Sequence, residues 1–262
     1  MKFLTNYLLL FFLFTFSPLP FAQVQYTDKI DIFVGATTRP PFLSVSEKSG
    51  AGLEILSVLN TVQSKFHFIP KSIPPQRRIQ SMEEGWVQVT MWDNINWGWQ
   101  KINVEASIPL VQSKDVFIAL AIEERTQVFF DDVKSKKLAW VNGFHYKIAN
   151  FETDPDKLAA KFDLSLVRNE EAAVEMVLAK RVDVSIVSET GLNWFLIRYP
   201  EYRAKILVSE MFDTQYSRHF LVSNSSIIKT KELNQYLQIA DKKGLLAPIY
   251  DKYGLSKPSF HQ

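Results

Sequence analysis

The alternation of hydrophobic and polar positions between Asn169 and Gly191, NEEAAVEMVLAKRVDVSIVSETG, predicts a helix, a tight turn and a strand. Val174, Val177 and Leu178 fall at the i, i+3, i+4 spacing of one helical face, with Ala173 beside them. Asn169 is placed to cap this helix. Glu170 and Glu171 lie in its first turn and Lys180 and Arg181 at its end, the order of charge that the helix dipole favours. Val182 to Val187 reads as the strand, and the polar group Ser188-Glu189-Thr190 lies just past it.

The same pattern occurs 95 positions earlier. Arg77 to Gly85 predicts a helix and turn, Val87 to Met91 a strand, and Trp92-Asp93-Asn94 a polar tip. In this register Ile79 falls on Val174, Met82 on Val177, Val87 on Val182 and Asp93 on Ser188. Two copies predict two similarly built α/β halves, since a repeat array needs three or more units.

Around these copies, Ile30 to Ala36 reads as a buried first strand, followed by the proline-stiffened loop Thr37 to Phe42. Leu53, Leu56, Leu59 and Val62 predict one face of a helix opened by Gly50-Ala51-Gly52, and Phe66 to Ile69 a second strand. Further strands are expected at Val116–Ile122, Lys137–Val141, Asp163–Val167 and Arg218–Val222, and two short helices between Lys231 and Tyr253, parted by Gly244. Strands alternating with helices predict a mostly parallel sheet covered on both faces.

Composition narrows the function classes. Residues 1–22 carry one charge, Lys2, then an apolar run from Tyr7 to Phe16 broken only by Thr15, and a break at Ser17-Pro18-Leu19-Pro20 before Ala22. This is the pattern of a cleaved signal peptide, and the run is shorter than the roughly 20 apolar residues of a spanning helix. An uncleaved amino-terminal anchor is the alternative. With no cysteine, disulfides and a lipid-accepting thiol are excluded, so an exported protein that is soluble rather than lipid-anchored is expected. The balance of 30 basic against 28 acidic residues gives no support to a nucleic-acid partner. There is no nucleophile elbow, no phosphate-binding glycine loop and no helical histidine pair. His67, His145, His219 and His261 show no metal-site spacing. The expectation is therefore a non-enzyme with no catalytic residues, no metal and no cofactor. Asp93 and Glu189 as an acid–base pair are the enzymatic alternative.

Four motifs in order, Arg39-Pro40-Pro41-Phe42, the run GAGLEIL from Gly50, the run AAVEMVLAKRVDVSI from Ala172, and GLLAPIYDKYGL from Gly244, resemble bacterial periplasmic solute-binding proteins of the polar amino-acid type, extracellular solute-binding protein family 3. The resemblance spans residues 26 to 256. It implies the type II periplasmic binding protein fold, two α/β lobes joined by two crossing strands with a ligand cleft between them. Residues 23–119 plus 219–262 would form lobe 1 and 120–218 lobe 2, with Val116–Ile122 and His219–Ser223 as the crossing strands. The implied function is capture of a small polar or anionic solute by a monomer that delivers it to the membrane permease of an ABC importer. A ligand-binding partner of a membrane sensor, or a dehydratase-like periplasmic enzyme, are the alternatives.

In open α/β sheets ligands bind at the carboxyl ends of strands. Here those ends are Thr37 to Arg39, Trp92 to Asn94, Gly143 to Tyr146 and Ser188 to Thr190. The resemblance places Arg39 where the family has an aromatic residue, Gln100 where it has a carboxylate-clamping arginine, and Ser188, next to Glu189, where it has a carboxylate for the α-amino group. Glutamine lacks the charged bidentate fork and serine cannot neutralise an ammonium, which disfavours an ordinary amino acid. Arg39 and Arg77 are expected to supply cations to the cleft, although surface ion pairs would also explain them. Trp97 and Trp99 are expected as ligand platforms, and Trp92, at a strand end, as the tryptophan most suited to the core. Asp93 sits at the same tip. Phe144, His145 and Tyr146 are expected to wall the cleft from the second half.

Overall fold

A computed structural model describes residues 29–44 and 48–258; the expected signal segment, 1–22, lies outside the described residues. The chain begins with β1 (Ile30–Ala36), α1 (Ala51–Val62) and β2 (Phe66–Ser72), then α2 (Arg78–Glu83) and β3 (Val89–Asp93). After β4 (Val104–Ala106) and β5 (Val111–Leu120) come β6 (Leu138–Val141), α3 (Pro155–Ala159), β7 (Leu164–Val167), α4 (Glu170–Leu178), β8 (Val184–Ser188) and α5 (Glu189–Arg198). A long strand, β9 (Ile206–Ser223), leads to α6 (Thr230–Lys242) and α7 (Ala247–Tyr253).

The strand order β2-β1-β3-β9-β5-β8-β6-β7 has two matching halves. In the first, β1 lies parallel between β2 and β3, and β3 is flanked by antiparallel β9. In the second, β6 lies parallel between β7 and β8, and β8 is flanked by antiparallel β5. The repeat seen in the sequence is the unit of this symmetry. A 3₁₀ turn at Pro75–Arg77 together with α2 falls on α4, and β3 falls on β8, in the one register.

β5 and β9 run antiparallel from the Val111–Arg218 pair to the Leu120–Ile206 pair, so hydrogen bonding continues from one half into the other. β5 spans Val111–Leu120 rather than the expected 116–122, and the return strand starts at Ile206 rather than at 218 or 219. Two features hid the early part of β9. Its polar positions Glu210, Asp213, Gln215 and Ser217 leave no continuous apolar period. Asp213 is also a bulge, since Asp115 pairs with Thr214 while Val116 pairs with Phe212, and an extra residue resets the two-residue alternation.

Both halves are packed on both faces. The largest core joins Val34, Leu59 and Phe66 to Leu237 and Ile249, so α6 and α7 complete the first half although they come last in the chain. The buried face of α1 is Ala51, Gly52, Ile55, Leu56 and Leu59; it is rotated from the expected stripe, because the Ala51, Ile55, Leu59 row at i+4 spacing faces the sheet. Gly52 is required here: a Cβ would stand 2.8 Å from the Trp92 indole nitrogen and 3.0 Å from the Phe42 carbonyl. The first-strand loop thereby packs directly on the start of α1. In the second half, α4 and α5 cover one face through Val174, Val177, Leu192 and Phe195. Phe130, Tyr146 and Leu158 cover the other. Asn169 caps α4 as expected, its side chain accepting from the Ala172 amide.

Leu237 on α6 is fully buried, whereas Ile227, shortly before that helix, is 63% exposed. Leu237→Ala is expected to cost about 2–5 kcal/mol and Ile227→Ala no more than about 0.5 kcal/mol. Urea unfolding of the two variants measures this. Equal midpoints would mean that α6 is not part of the first half's core.

Candidate functional site

The loop after β1 folds back on itself through the Arg39 amide, which donates to the Leu43 carbonyl at 2.8 Å. This fixes the base of the Arg39 side chain. Its Nη2 meets Glu170 Oε2 at 3.0 Å, with side-chain exposures of 25% and 10%, so the contact is largely screened from water. Glu170 opens α4 directly after β7, and its Oε1 accepts the Ser188 amide at 2.6 Å. A carboxylate of the second half is thus held between a guanidinium of the first half and the end of β8. Burial alone would raise the Glu170 carboxyl, but Arg39 and Ser188 bring it below the usual range. Burial likewise opposes the Arg39 charge, and Glu170 outweighs it, raising that pKa above the ordinary value. The Arg39 guanidinium also lies 4.8 Å from the Phe144 ring of the second half.

Behind this pair, β5 and β9 carry buried charge. Asp115 accepts from the Tyr216 hydroxyl at 2.9 Å and from the Thr214 hydroxyl at 3.1 Å. Burial pushes the Asp115 carboxyl up to about 6, against the Tyr216 hydrogen bond and with help from the nearby Glu170 charge. Arg218 is 4% exposed. Its Nη1 donates to the Trp92 carbonyl at 3.1 Å and its Nη2 to the Tyr216 oxygen at 3.4 Å, while its Nε is buried without a partner. Burial, and then the Arg39 charge, lower its pKa. Trp92, whose carbonyl receives Arg218, sits at φ 65°, in the left-handed region that a tryptophan adopts only under constraint from its surroundings.

The expected site residues separate into two groups. Arg39, Phe144 and the backbone of Ser188 meet around Glu170, and Trp97 stands edge-on to Tyr216 at 5.3 Å and against Arg218. Asp93 is buried nearby; its Oδ1 meets Arg78 Nη1 at 3.1 Å, and Arg78 also donates to the Trp97 carbonyl at 2.9 Å. The rest stand elsewhere. Arg77 is exposed, stacked on Trp86 at 5.0 Å and 3.8 Å from Glu84, because the 3₁₀ turn at Pro75–Arg77 directs the following residue, Arg78, inward instead. Trp99 is no platform: it is fully buried among Ile73, Met82, Val87 and Leu221, which its place opposite the short α2 leaves otherwise uncovered. Trp92 is buried against Phe42, with ring centroids 4.6 Å apart. Tyr146 is buried beside Trp140, its oxygen accepting the Val141 amide. The Ser188 hydroxyl is engaged in capping α5 through the Gly191 amide at 3.0 Å. Gln100 and His145 are exposed, and Glu189, half-buried at the start of α5, lies 3.8 Å from Lys114.

Five residues of the cluster escaped the sequence reading as site residues: Phe42, Asp115, Glu170, Tyr216 and Arg218. A signal existed for three of them. Asp115 and Arg218 are charges just before the apolar runs Val116–Leu120 and Phe220–Val222, and Glu170 comes shortly after a strand end. Among the described residues, no three histidine, aspartate or glutamate side chains gather as a metal site, and no helix is long and apolar enough to cross a membrane.

No family model matches the chain, and no curated protein matches it. Solved structures do. The ligand-binding core of GluR0 from Nostoc punctiforme, in complex with L-glutamate, is 19% identical with a TM-score of 0.61, over 85% of this chain and 98% of that one. The L-cystine solute receptor of Neisseria gonorrhoeae, in an unliganded open conformation, is 16% identical with a TM-score of 0.63, over 88% of this chain and 96% of that one. A histidine kinase sensor domain with similarity to periplasmic binding proteins is 15% identical with a TM-score of 0.62, over 88% of this chain and 98% of that one. At these identities the likeness shows the fold, and the fold is the type II periplasmic binding protein fold implied by the sequence.

Two predictions follow from the geometry of the buried charges. Arg78→Ala leaves Asp93 buried without its cation and should cost about 3 kcal/mol, whereas Arg77→Ala should stay within about 0.5 kcal/mol; equal losses on urea unfolding would contradict the inward assignment of Arg78. The second concerns pH. Between the ordinary carboxyl pKa of 3.8 and about 6, folded Asp115 keeps a proton that the unfolded chain has released. Its contribution to stability therefore falls as pH rises through that window. Glu170 acts in the opposite sense, but it is common to wild type and Asp115→Asn. The stability of wild type minus that of Asp115→Asn should decline from about pH 4 to about pH 6 and level off above it. A difference independent of pH in urea titrations would contradict it.

Proposed function

We propose that this chain is a solute-binding protein, a divergent member of extracellular solute-binding protein family 3, that closes two lobes on a small polar or anionic solute in the periplasm. The observation that carries the reading is the Arg39–Glu170 contact. It brings together groups from the carboxyl ends of strands in opposite halves, the crevice where open α/β sheets take ligands. Residues 23–119 plus 219–262 and residues 120–218 are the proposed lobes, with β5 and β9 as the hinge on which they close. Likeness to proteins that bind glutamate and cystine supports a binding role rather than catalysis. In this reading residues 1–22 are removed on export. The monomer then carries its solute, without metal or cofactor, to the permease of an ABC importer. A second reading, a binding partner for a membrane sensor, is favoured by the likeness to a histidine kinase sensor domain. A permease gene or a sensor gene beside this one separates the two.

A thermal-shift screen of amino acids, organic acids, sugars and short peptides tests solute capture, because a ligand of the native state raises its melting temperature. Small-angle scattering tests closure. Glu170→Gln removes the charge that meets Arg39, so the variant should show a larger radius of gyration than wild type, and saturating solute should reduce it. If no class shifts the melting temperature and Glu170→Gln scatters like wild type, the chain does not work by closing on a solute.

A further inference from the structure

Resting on the reading of the cleft as a solute site, we propose that Arg218 anchors the solute, and that the solute is a small organic carboxylate with a flat ring and no ammonium group. Arg218 is on the hinge strand β9, shared by both halves, and is not among the residues that the family resemblance picks out. Its guanidinium carbon lies 5.2 Å from the Phe42 ring, 4.6 Å from that of Trp97 and 5.0 Å from that of Tyr216. Two of its nitrogens are fixed by the Trp92 carbonyl and the Tyr216 oxygen, and Nε has no partner. A buried, rigidly held guanidinium with a spare donor is built to receive a planar anion.

Charge accounting points the same way. Arg39 and Arg218 both lie against Phe42, and each depends on carboxylates of the second half or of β5 for compensation. Glu170 pairs with Arg39 directly, whereas Asp115 reaches Arg218 only through Tyr216. Arg218 is bonded to a carbonyl and a phenol oxygen rather than directly to a carboxylate, and an anion set between the two guanidinium groups would supply that partner. An ammonium has no such place. Glu170 is held by Arg39 and the Ser188 amide, Asp115 by Tyr216 and Thr214, and Asp93 by Arg78 and the Asn94 amide. A zwitterionic amino acid would bring its cation to two guanidinium groups, with Glu170, Asp115 and Asp93 engaged and Glu189 beside Lys114, which selects against it. A flat ring in the solute would extend the stacks that Arg218 makes on Trp97 and Arg39 makes on Phe144, one from each half.

Calorimetry with 3-phenylpropionate, benzoate and L-phenylalanine tests this, since the first and the last differ only in the α-ammonium group. 3-Phenylpropionate should bind at least about tenfold more tightly than L-phenylalanine, and Arg218→Lys, which keeps the charge but not the fork, should weaken it by about tenfold or more. Arg39→Gln, on the less buried side of the site, should weaken it as well and guards against a folding defect in the Arg218 variant. Arg77→Ala should leave the affinity unchanged. The proposal is overturned if L-phenylalanine binds as tightly as 3-phenylpropionate, if both arginine variants keep wild-type affinity, or if neither carboxylate binds. Should another solute of the wider screen bind in any of those cases, solute capture stands and only the anchor falls; should none bind, capture falls too.

Discussion

The pairing of β5 with β9 is the constraint on which the rest of this molecule depends. β5 pairs with β8 on its other side, and the far end of β9 pairs with β3 and β4, so each of the two strands belongs to both halves. Charge placed in such a ladder must be satisfied by the ladder itself, because water reaches it poorly. Asp115 takes its partners from the facing strand, Thr214 and Tyr216. The bulge at Asp213 makes this register available and turns its own carboxylate to the Lys147 and Ile148 amides, at 2.6 and 2.7 Å, pinning β9 to the second half.

How much of this was legible depended on whether a residue's role follows from its local pattern. The helix–strand unit was readable to within a residue or two in both copies, because its apolar spacing is imposed by a sheet face and repeats in register. The strand ends, and hence the neighbourhood of Arg39, Phe144 and Ser188, followed from that. Which side chain of a short turn points inward did not. Arg77 and Arg78 differ only in rotation about the 3₁₀ turn, and nothing in the run Pro74-Pro75-Gln76-Arg77-Arg78 fixes the phase. Trp99 was misread because a loop tryptophan beside glycine resembles an exposed platform, whereas α2 is too short to cover that face alone. Glu170 carries two roles, favourable helix-terminal charge and partner of Arg39, and only the first is local.

The Arg39–Glu170 pair is poised rather than simply stabilising. Removing two charges from water offsets much of their attraction, so a partly buried pair contributes little net stability compared with the loss incurred when one partner is removed. If the halves part on β5 and β9 as proposed, opening would return both groups to water at modest cost and closing would restore the contact. Such balance suits a two-state hinge better than an apolar seam would, because an apolar seam would hold the closed state firmly.

The completion of the first core by α6 and α7 also sets an order on synthesis. Every strand from β6 to β8 and the helices that cover them lie in one contiguous stretch, with short-range contacts that can form as the chain emerges. The core around Val34 and Phe66 cannot close until Leu237, Ile249 and Tyr253 have been made, well after β6 to β8. Until then β1 and β2 expose apolar side chains that the rest of the chain has yet to cover. The half that begins first is therefore the half that finishes last, and it bears the longer exposure to aggregation.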